Sequence, residues 1–261
     1  MKQFFKNIKK YRKYAFFSAK AELKSEVADS YLNWIWWILE PFCFMLIYTF
    51  VFGFVFKSRS NHFASFVMIG LAAWTFFKNM LSGSVRLVSN NRDLVTKVYI
   101  PKYILLLSKS LTYLFKFFIS LIIAICLMLY QHVPIDWHVI TIIPIIAVLY
   151  VTSFGIGLIL MHFGVTISDL SNITNLVLRM VFYLSGVFYN INDKLDGTLR
   201  RLLLRGNPAA FCMNEMRKAV NLADKQRSVE GLVFWAVMGI ILVVIGVHLI
   251  HKNENSYAKV I

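Results

Sequence analysis

Five ionisable side chains, Glu40, Lys78, Lys109, Lys116 and Arg179, stand inside long apolar runs of this chain. A charge in hydrocarbon costs about 3 kcal/mol even on the mildest scale, so each must be paired, hydrated or able to snorkel. Glu40 and Lys78 reach similar depths when residues are counted at about 1.5 Å each from the same ends of two successive runs, which makes them an intramembrane pair; snorkelling to the inner surface is the alternative. Arg179 sits near the middle of a shorter run. There it either faces an aqueous path and meets an anionic or hydroxyl-rich substrate, or it bonds neighbouring backbone carbonyls. Trp74, Phe76, Phe77, Phe182 and Tyr183 offer flat rings suited to sugars if they line an interface between two copies; core packing is the competing role for each.

Other chemistry is conspicuously missing. No G-x-x-x-x-G-K-[ST] occurs, so the chain carries no phosphate-cradling loop for ATP, and any nucleotide power must come from a partner. Paired carboxylates, a Ser-His-Asp set and Cys-rich spacing are absent, so no catalytic residue is assigned. His132, Asp136 and His138 come nearest to a ligand set, but polar residues are what a turn leaving the bilayer requires, and no metal is expected. Cys43, Cys126 and Cys212 suggest no disulfide framework.

The elements that must position these residues are apolar runs close to bilayer thickness: Trp34–Phe56, Ser65–Val85, Tyr103–Tyr130, Val139–Phe163, Ile173–Phe188 and Gly231–Ile250. With 58% hydrophobic residues and a mean hydropathy of +0.63 over 261 residues, little chain is left for a soluble domain. Backbone groups in lipid must be satisfied within a segment, and nothing alternates as in a barrel, so the runs are helices. The expected fold is an all-α membrane protein with six transmembrane helices. Its net charge of +15 belongs to residues flanking the spans, which points to lipid phosphate and away from nucleic acid.

Residues 1–33 form a basic arm. Phe4, Ile8, Tyr11, Ala15 and Ala19 share one helical face, and Lys6, Lys9, Lys10, Lys13, Lys20 and Lys24 the other; only Phe17 breaks the pattern. This predicts an amphipathic helix in the membrane interface, with Lys9, Lys10 and Lys13 near lipid head groups and Trp36 and Trp37 at headgroup level. It either anchors topology alone or also contacts a partner or anionic lipid. No cleavable signal peptide is expected, and the first span would serve as its own insertion signal. Residues 34–261 make the six-span domain. Within it, 90–102 is too polar to cross and reads as a short cytoplasmic helix stopped near Pro101, while 187–230 holds short apolar runs suited to re-entrant or interfacial helices on the outer side.

Orientation involves a conflict. The arm and the connection bearing Arg86, Arg92, Lys97 and Lys102 both belong inside by the positive-inside tendency, yet with six spans the basic stretch from Lys194 to Arg227 falls outside. Charges beside the first span usually dominate, so both termini are placed in the cytoplasm.

These residues resemble a family. Ser30-x-Leu32-Asn33-x-x-Trp36-x-x-x-x-Pro41 is similar to the start of the first span in ABC exporter permeases for teichoic acid, capsule and O-antigen polysaccharides. Ile69-Gly70-Leu71-x-x-Trp74-x-Phe76-Phe77 resembles their second span, Asn91-x-x-Leu94-Val95-x-Lys97-Val98-x-Ile100-Pro101-Lys102 the cytoplasmic segment after it, and Asn207-Pro208 with Arg217 the segment before the last span. The chain departs from the usual pattern at Asn33, Leu107, Ser168 and Gly186. The resemblance implies a bacterial inner-membrane permease that pairs with a second copy of itself and with two ABC ATPase subunits, which bind ATP and Mg. Its cargo would be a glycan on a polyprenyl pyrophosphate. On that reading Asn91, Asp93, Leu94, Lys97, Tyr99, Ile100, Pro101 and Lys102 receive the ATPase stroke, and Asn207, Pro208 and Arg217 shape the outer exit. A membrane-embedded polyprenyl-linked glycosyl- or acyltransferase and a drug-type ABC permease are the alternatives.

Overall fold

The computed structural model describes residues 2–28, 32–56, 62–97, 100–134, 136–194, 197–223 and 228–260, and all of their regular structure is helical. In chain order the helices are α1 Lys2–Ala28, α2 Trp36–Tyr48, α3 Phe63–Val85, α4 Leu87–Asn90, α5 Arg92–Lys97, α6 Lys102–Tyr130, α7 Ile142–Thr166, α8 Leu170–Leu184, α9 Ile191–Lys194, α10 Gly197–Gly206, α11 Pro208–Ala219 and α12 Val229–Val260. A wider π turn, Thr49–Val55, prolongs α2.

Among the described residues five helices are long and apolar enough to cross a bilayer: Trp36–Val55, Phe63–Val85, Lys102–Tyr130, Trp137–Thr166 and Val229–Asn253. The remaining expected run is α8, whose 15 residues give about 22 Å of helix. That is short of a bilayer core of about 30 Å. The chain nevertheless travels from one end of the bundle to the other along α8. Helices α7 and α12 run parallel, since Thr152 meets Gly239, Gly155 meets Leu242 and Leu158 meets Gly246 in step. One return leg must therefore lie between them, and only α8 and the short segments after it are available.

Glycine makes that parallel contact close. A Cβ at Gly155 would lie 2.7 Å from Leu242 Cβ, so a larger residue would force the two backbones apart. Helix α3 is the central element, with most of its length buried, whereas α2 and its π turn bury only Met45 and leave Phe44, Leu46, Ile47, Phe50 and Phe54 exposed. An apolar face of that size must meet lipid or another protein.

Helix α1 is amphipathic, as its pattern predicts. Its apolar face, however, is covered by α6: Phe4, Ala15 and Ala19 are buried, and the ring of Phe4 lies 5.1 Å from that of Tyr103. Phe5, Phe16 and Phe17 stay exposed, so the helix has a second apolar surface.

The bundle has two distinct ends. At one, α4 and α5 join α3 to α6. At the other, Ser65 Oγ donates to Gln131 Oε1 (2.6 Å), and α11 packs beside the starts of α3 and α7.

Candidate functional site

Four helices that surround one open cavity of about 610 Å³ supply their lining residues at helical spacing. Helix α6 gives Tyr113, Lys116, Phe117 and Ser120, and α8 gives Asn175, Leu178, Arg179 and Phe182, in each case an i, i+3, i+4, i+7 stripe. From α2 come Trp37, Glu40, Pro41, Phe44 and Tyr48; from α3 come Trp74, Thr75, Phe76, Lys78 and Asn79. Tyr183 completes the α8 side. Three cations, one carboxylate and two carboxamides are thus gathered among aromatic rings, in a space with room for about twenty waters. An open cavity of this size has room for water, which would lower the cost of placing those charges within a membrane span.

The rings divide into wall and surface. Trp74 and Phe76 are buried, with Trp74 packed 5.4 Å from Phe182 and Phe76 5.4 Å from Phe117. Tyr48 joins the same cluster, 6.1 Å from Phe182. Tyr183, at 65% exposure, and the exposed Arg179 present their groups outward. Stacking area and cationic hydrogen-bond donors in one aqueous recess suit hydroxyl-rich rings bearing negative charge.

Several sequence expectations are changed by this geometry. Glu40 and Lys78 face the same cavity, as equal depth requires, but form no ion pair within 4.0 Å. Both side chains are exposed on that open cavity, which has room for each charge to be solvated without an ion pair. Phe77 is not on the cavity; it lies on the buried side of α3, 5.9 Å from Trp74. Lys109 and Lys116 are paired from outside the spans, Lys109 with Glu22 of α1 and Lys116 with Glu26 at 2.6 Å. Thr112 donates to Glu22 (3.3 Å), and Ser108 to the Ala15 carbonyl (3.1 Å). These partners were missed, although Glu22 and Glu26 are the only acids among the first 28 residues and stand four apart.

The segment between α3 and α6 is two short helices. Asn91 caps inward, its Nδ2 donating to the Leu87 carbonyl (2.7 Å), and Asp93 pairs with Lys97 on the exposed side (3.6 Å). Leu94, Val95, Ile100 and Pro101 turn inward to varying degrees. Lys102, expected on the docking surface, is 5% exposed and engaged within the protein, because it begins α6 beneath the arm. Tyr99 lies outside the described residues. Trp36 is exposed, and Trp37 packs edge-on to Phe115. Lys9, Lys10 and Lys13 are exposed on α1.

At the far end, the three residues expected to shape an exit are structural supports. Asn207 Oδ1 accepts from the amides of Ala209 (3.0 Å) and Ala210 (3.3 Å), while its Nδ2 donates to Ser185 Oγ (2.7 Å). With Pro208 as the first residue, this is a strong helix start. Arg217 is buried. Its Nε donates to the Phe66 carbonyl (3.1 Å), and its two terminal nitrogens to Gly186 (2.7 Å) and Val187 (2.8 Å), with the guanidinium 3.5 Å over the Phe66 ring. A side chain on Gly70 would collide with this guanidinium, which explains the glycine in the second span.

The pattern of the ABC-2 type transporter family matches residues 15–220, which takes in the arm's second half, the cavity, the α4–α5 segment and α11. The chain belongs to this family. Among its ABC-2 relatives is the O-antigen export system permease protein RfbA of Myxococcus xanthus, 28% identical over 240 residues, with 91% of each chain covered. RfbA of Klebsiella pneumoniae is 23% identical over 243 residues, covering 92% of each. The polysialic acid transport protein KpsM of Escherichia coli is 22% identical over 241 residues, covering 90% of this chain and 91% of that one. All three align along nearly their whole length.

Proposed function

We propose that this chain is the permease subunit of an ATP-driven exporter that carries a lipid-linked polysaccharide or teichoic-acid-like polymer out across the bacterial cytoplasmic membrane. One observation carries the reading: the open recess between α2, α3, α6 and α8, where Lys78 and Arg179 stand among aromatic rings. Relatives bearing O-antigen and polysialic acid export names support the polymer class.

The parts then divide the work. A second copy placed against the exposed faces of α2 and α8 closes the recess into a path. Two ATPase subunits bind ATP and Mg and push on α4 and α5, where Arg92, Asp93 and Lys97 are exposed. The stroke moves the permease copies as rigid bodies and opens the path between them. Glycan rings slide on the aromatics while Lys78 and Arg179 offset phosphate or carboxylate charge, Lys116 being paired with Glu26, and the polyprenyl pyrophosphate stays beside the path in lipid. Six crossings, with α8 completed by the irregular stretch after Leu184, put both termini on the cytoplasmic side.

The test is reconstitution with an ABC ATPase partner from the same organism. A lipid-linked glycan is expected to stimulate ATP hydrolysis, and small amphiphiles are not. Stimulation by small amphiphiles alone would make it a drug-type permease, and glycosyl or acyl transfer by this chain without an ATPase would make it an enzyme.

A further inference from the structure

A second recess, of about 380 Å³, lies at the end of the bundle opposite α4 and α5, between α10, α11 and the start of α12. Its lining carries Arg200, Arg201, Arg205 and Lys218 against Glu215 and Glu230, four cations to two carboxylates. Glu215 is already neutralised: it is buried, bonded to Lys218 (2.8 Å) and within 3.4 Å of the Ser228 amide. Among the described residues of the lining, that leaves the three arginines facing only the exposed Glu230. Among the described residues none of the three lies within ion-pair distance of a carboxylate. Arg201 Nε merely donates to the Gly197 carbonyl of its own helix (3.0 Å).

The surroundings say where this charge sits. Leu199, Leu202, Val229, Val233 and Phe234 are all exposed beside the recess. Trp235 fixes α10 to α12 through an indole N–H to the Leu204 carbonyl (3.0 Å). A short helix with bare leucines on one side and arginines on the other lies at a lipid–water boundary, its apolar face in acyl chains and its cations at phosphate depth. The same feature accounts for a basic stretch on the side that the positive-inside tendency would leave neutral.

We infer that the recess between α10, α11 and α12 is a binding site for the phosphate head group of an anionic phospholipid, held by Arg200, Arg201 and Arg205. Guanidinium forks match phosphate oxygens, and each basic residue near an anionic surface adds roughly tenfold or less to the preference. An occupied site would fasten α10 to the bilayer and leave α11, with its buried Arg217, as the fixed support beneath it.

Full-length protein in a neutral detergent, titrated with phosphatidylglycerol, phosphatidylcholine or inorganic phosphate and read by native mass spectrometry, tests this. Phosphatidylglycerol should bind at least about tenfold more tightly than phosphatidylcholine. The combined Arg200→Gln, Arg201→Gln and Arg205→Gln change should remove that preference, and Lys9→Gln, Lys10→Gln and Lys13→Gln should spare it. Retention of the preference in the arginine variant, or displacement of the lipid by millimolar inorganic phosphate, overturns the assignment. A photoreactive phosphatidylglycerol on the unaltered protein decides the matter even if the arginine variant fails to fold. Crosslinks at 199–205 or 229–235 support the site, and crosslinks confined to α1 overturn it.

Discussion

Arg217 places a full charge in the protein interior with three backbone carbonyls as its only hydrogen-bond partners. Arg217→Ala would strand all three, at about 1–3 kcal/mol each, so thermal unfolding in detergent should show a loss of about 3 kcal/mol or more. Arg217→Lys keeps the charge but cannot reach three carbonyls set around a planar fork, and should recover only part of that loss. Full stability in either variant would remove Arg217 from its role as the pin between α3, α11 and the turn at Gly186. The sequence exposed Arg217 as notable without showing its partners, because a motif before the last span carries no signal of which backbone it will touch. The depth count that paired Glu40 with Lys78 used helix rise alone, and the structure shows both on one cavity with no ion pair between them. Helix rise could not say that an open cavity would keep them apart.

Between elements, the arm and the third long helix are joined by a ladder in which Glu22 and Glu26 meet Lys109 and Lys116. These groups are a quarter to a third exposed, so each pair contributes only about 0.5–1 kcal/mol after solvent screening. Glu26→Lys alone should destabilise the α1–α6 contact, and adding Lys116→Glu should restore it, measured as protection of α1 from protease. Independent effects of the two changes would mean that the pair does not hold the arm. Helices α4 and α5 carry a different prediction. Asp93→Ala with Lys97→Ala should leave ATPase binding measurable but raise ATP turnover per polymer exported, whereas Lys102→Ala should act through stability, since that side chain is buried. Unchanged coupling in the first variant would place the docking surface elsewhere. The apolar periods of α1, α3, α6, α7 and α12 were all legible, as was a helix near residues 90–102. The cover over the arm's apolar face was not, because amphipathicity reports that a face is buried and is silent on whether lipid or protein buries it.

For the molecule as a whole, the parallel course of α7 and α12 with α8 between them is the feature that governs topology. Accessibility labelling of single cysteines added at the two ends of the chain should find both reactive from the same, cytoplasmic side. Opposite sides would require an odd number of crossings and would dissolve the proposed arrangement. Composition and run length made the membrane class and five of the long helices plain from the sequence. The α8 run was harder, as 15 helical residues fall between a span and a buried turn. The segment before α12 was legible as short helices. Of its basic residues, Arg200, Arg201, Arg205 and Lys218 meet around one recess between α10, α11 and α12, which spacing along the chain did not announce.

The central claim is that the recess between α2, α3, α6 and α8 is the glycan path, and ATP-driven transfer of a lipid-linked glycan in proteoliposomes tests it most directly. With the ATPase partner present, Lys78→Ala combined with Arg179→Ala should cut transfer at least tenfold, by roughly the value of two charge-assisted contacts, while assembly with the partner and thermal stability stay as in the unaltered protein. Transfer at the unaltered rate by that variant would contradict the account.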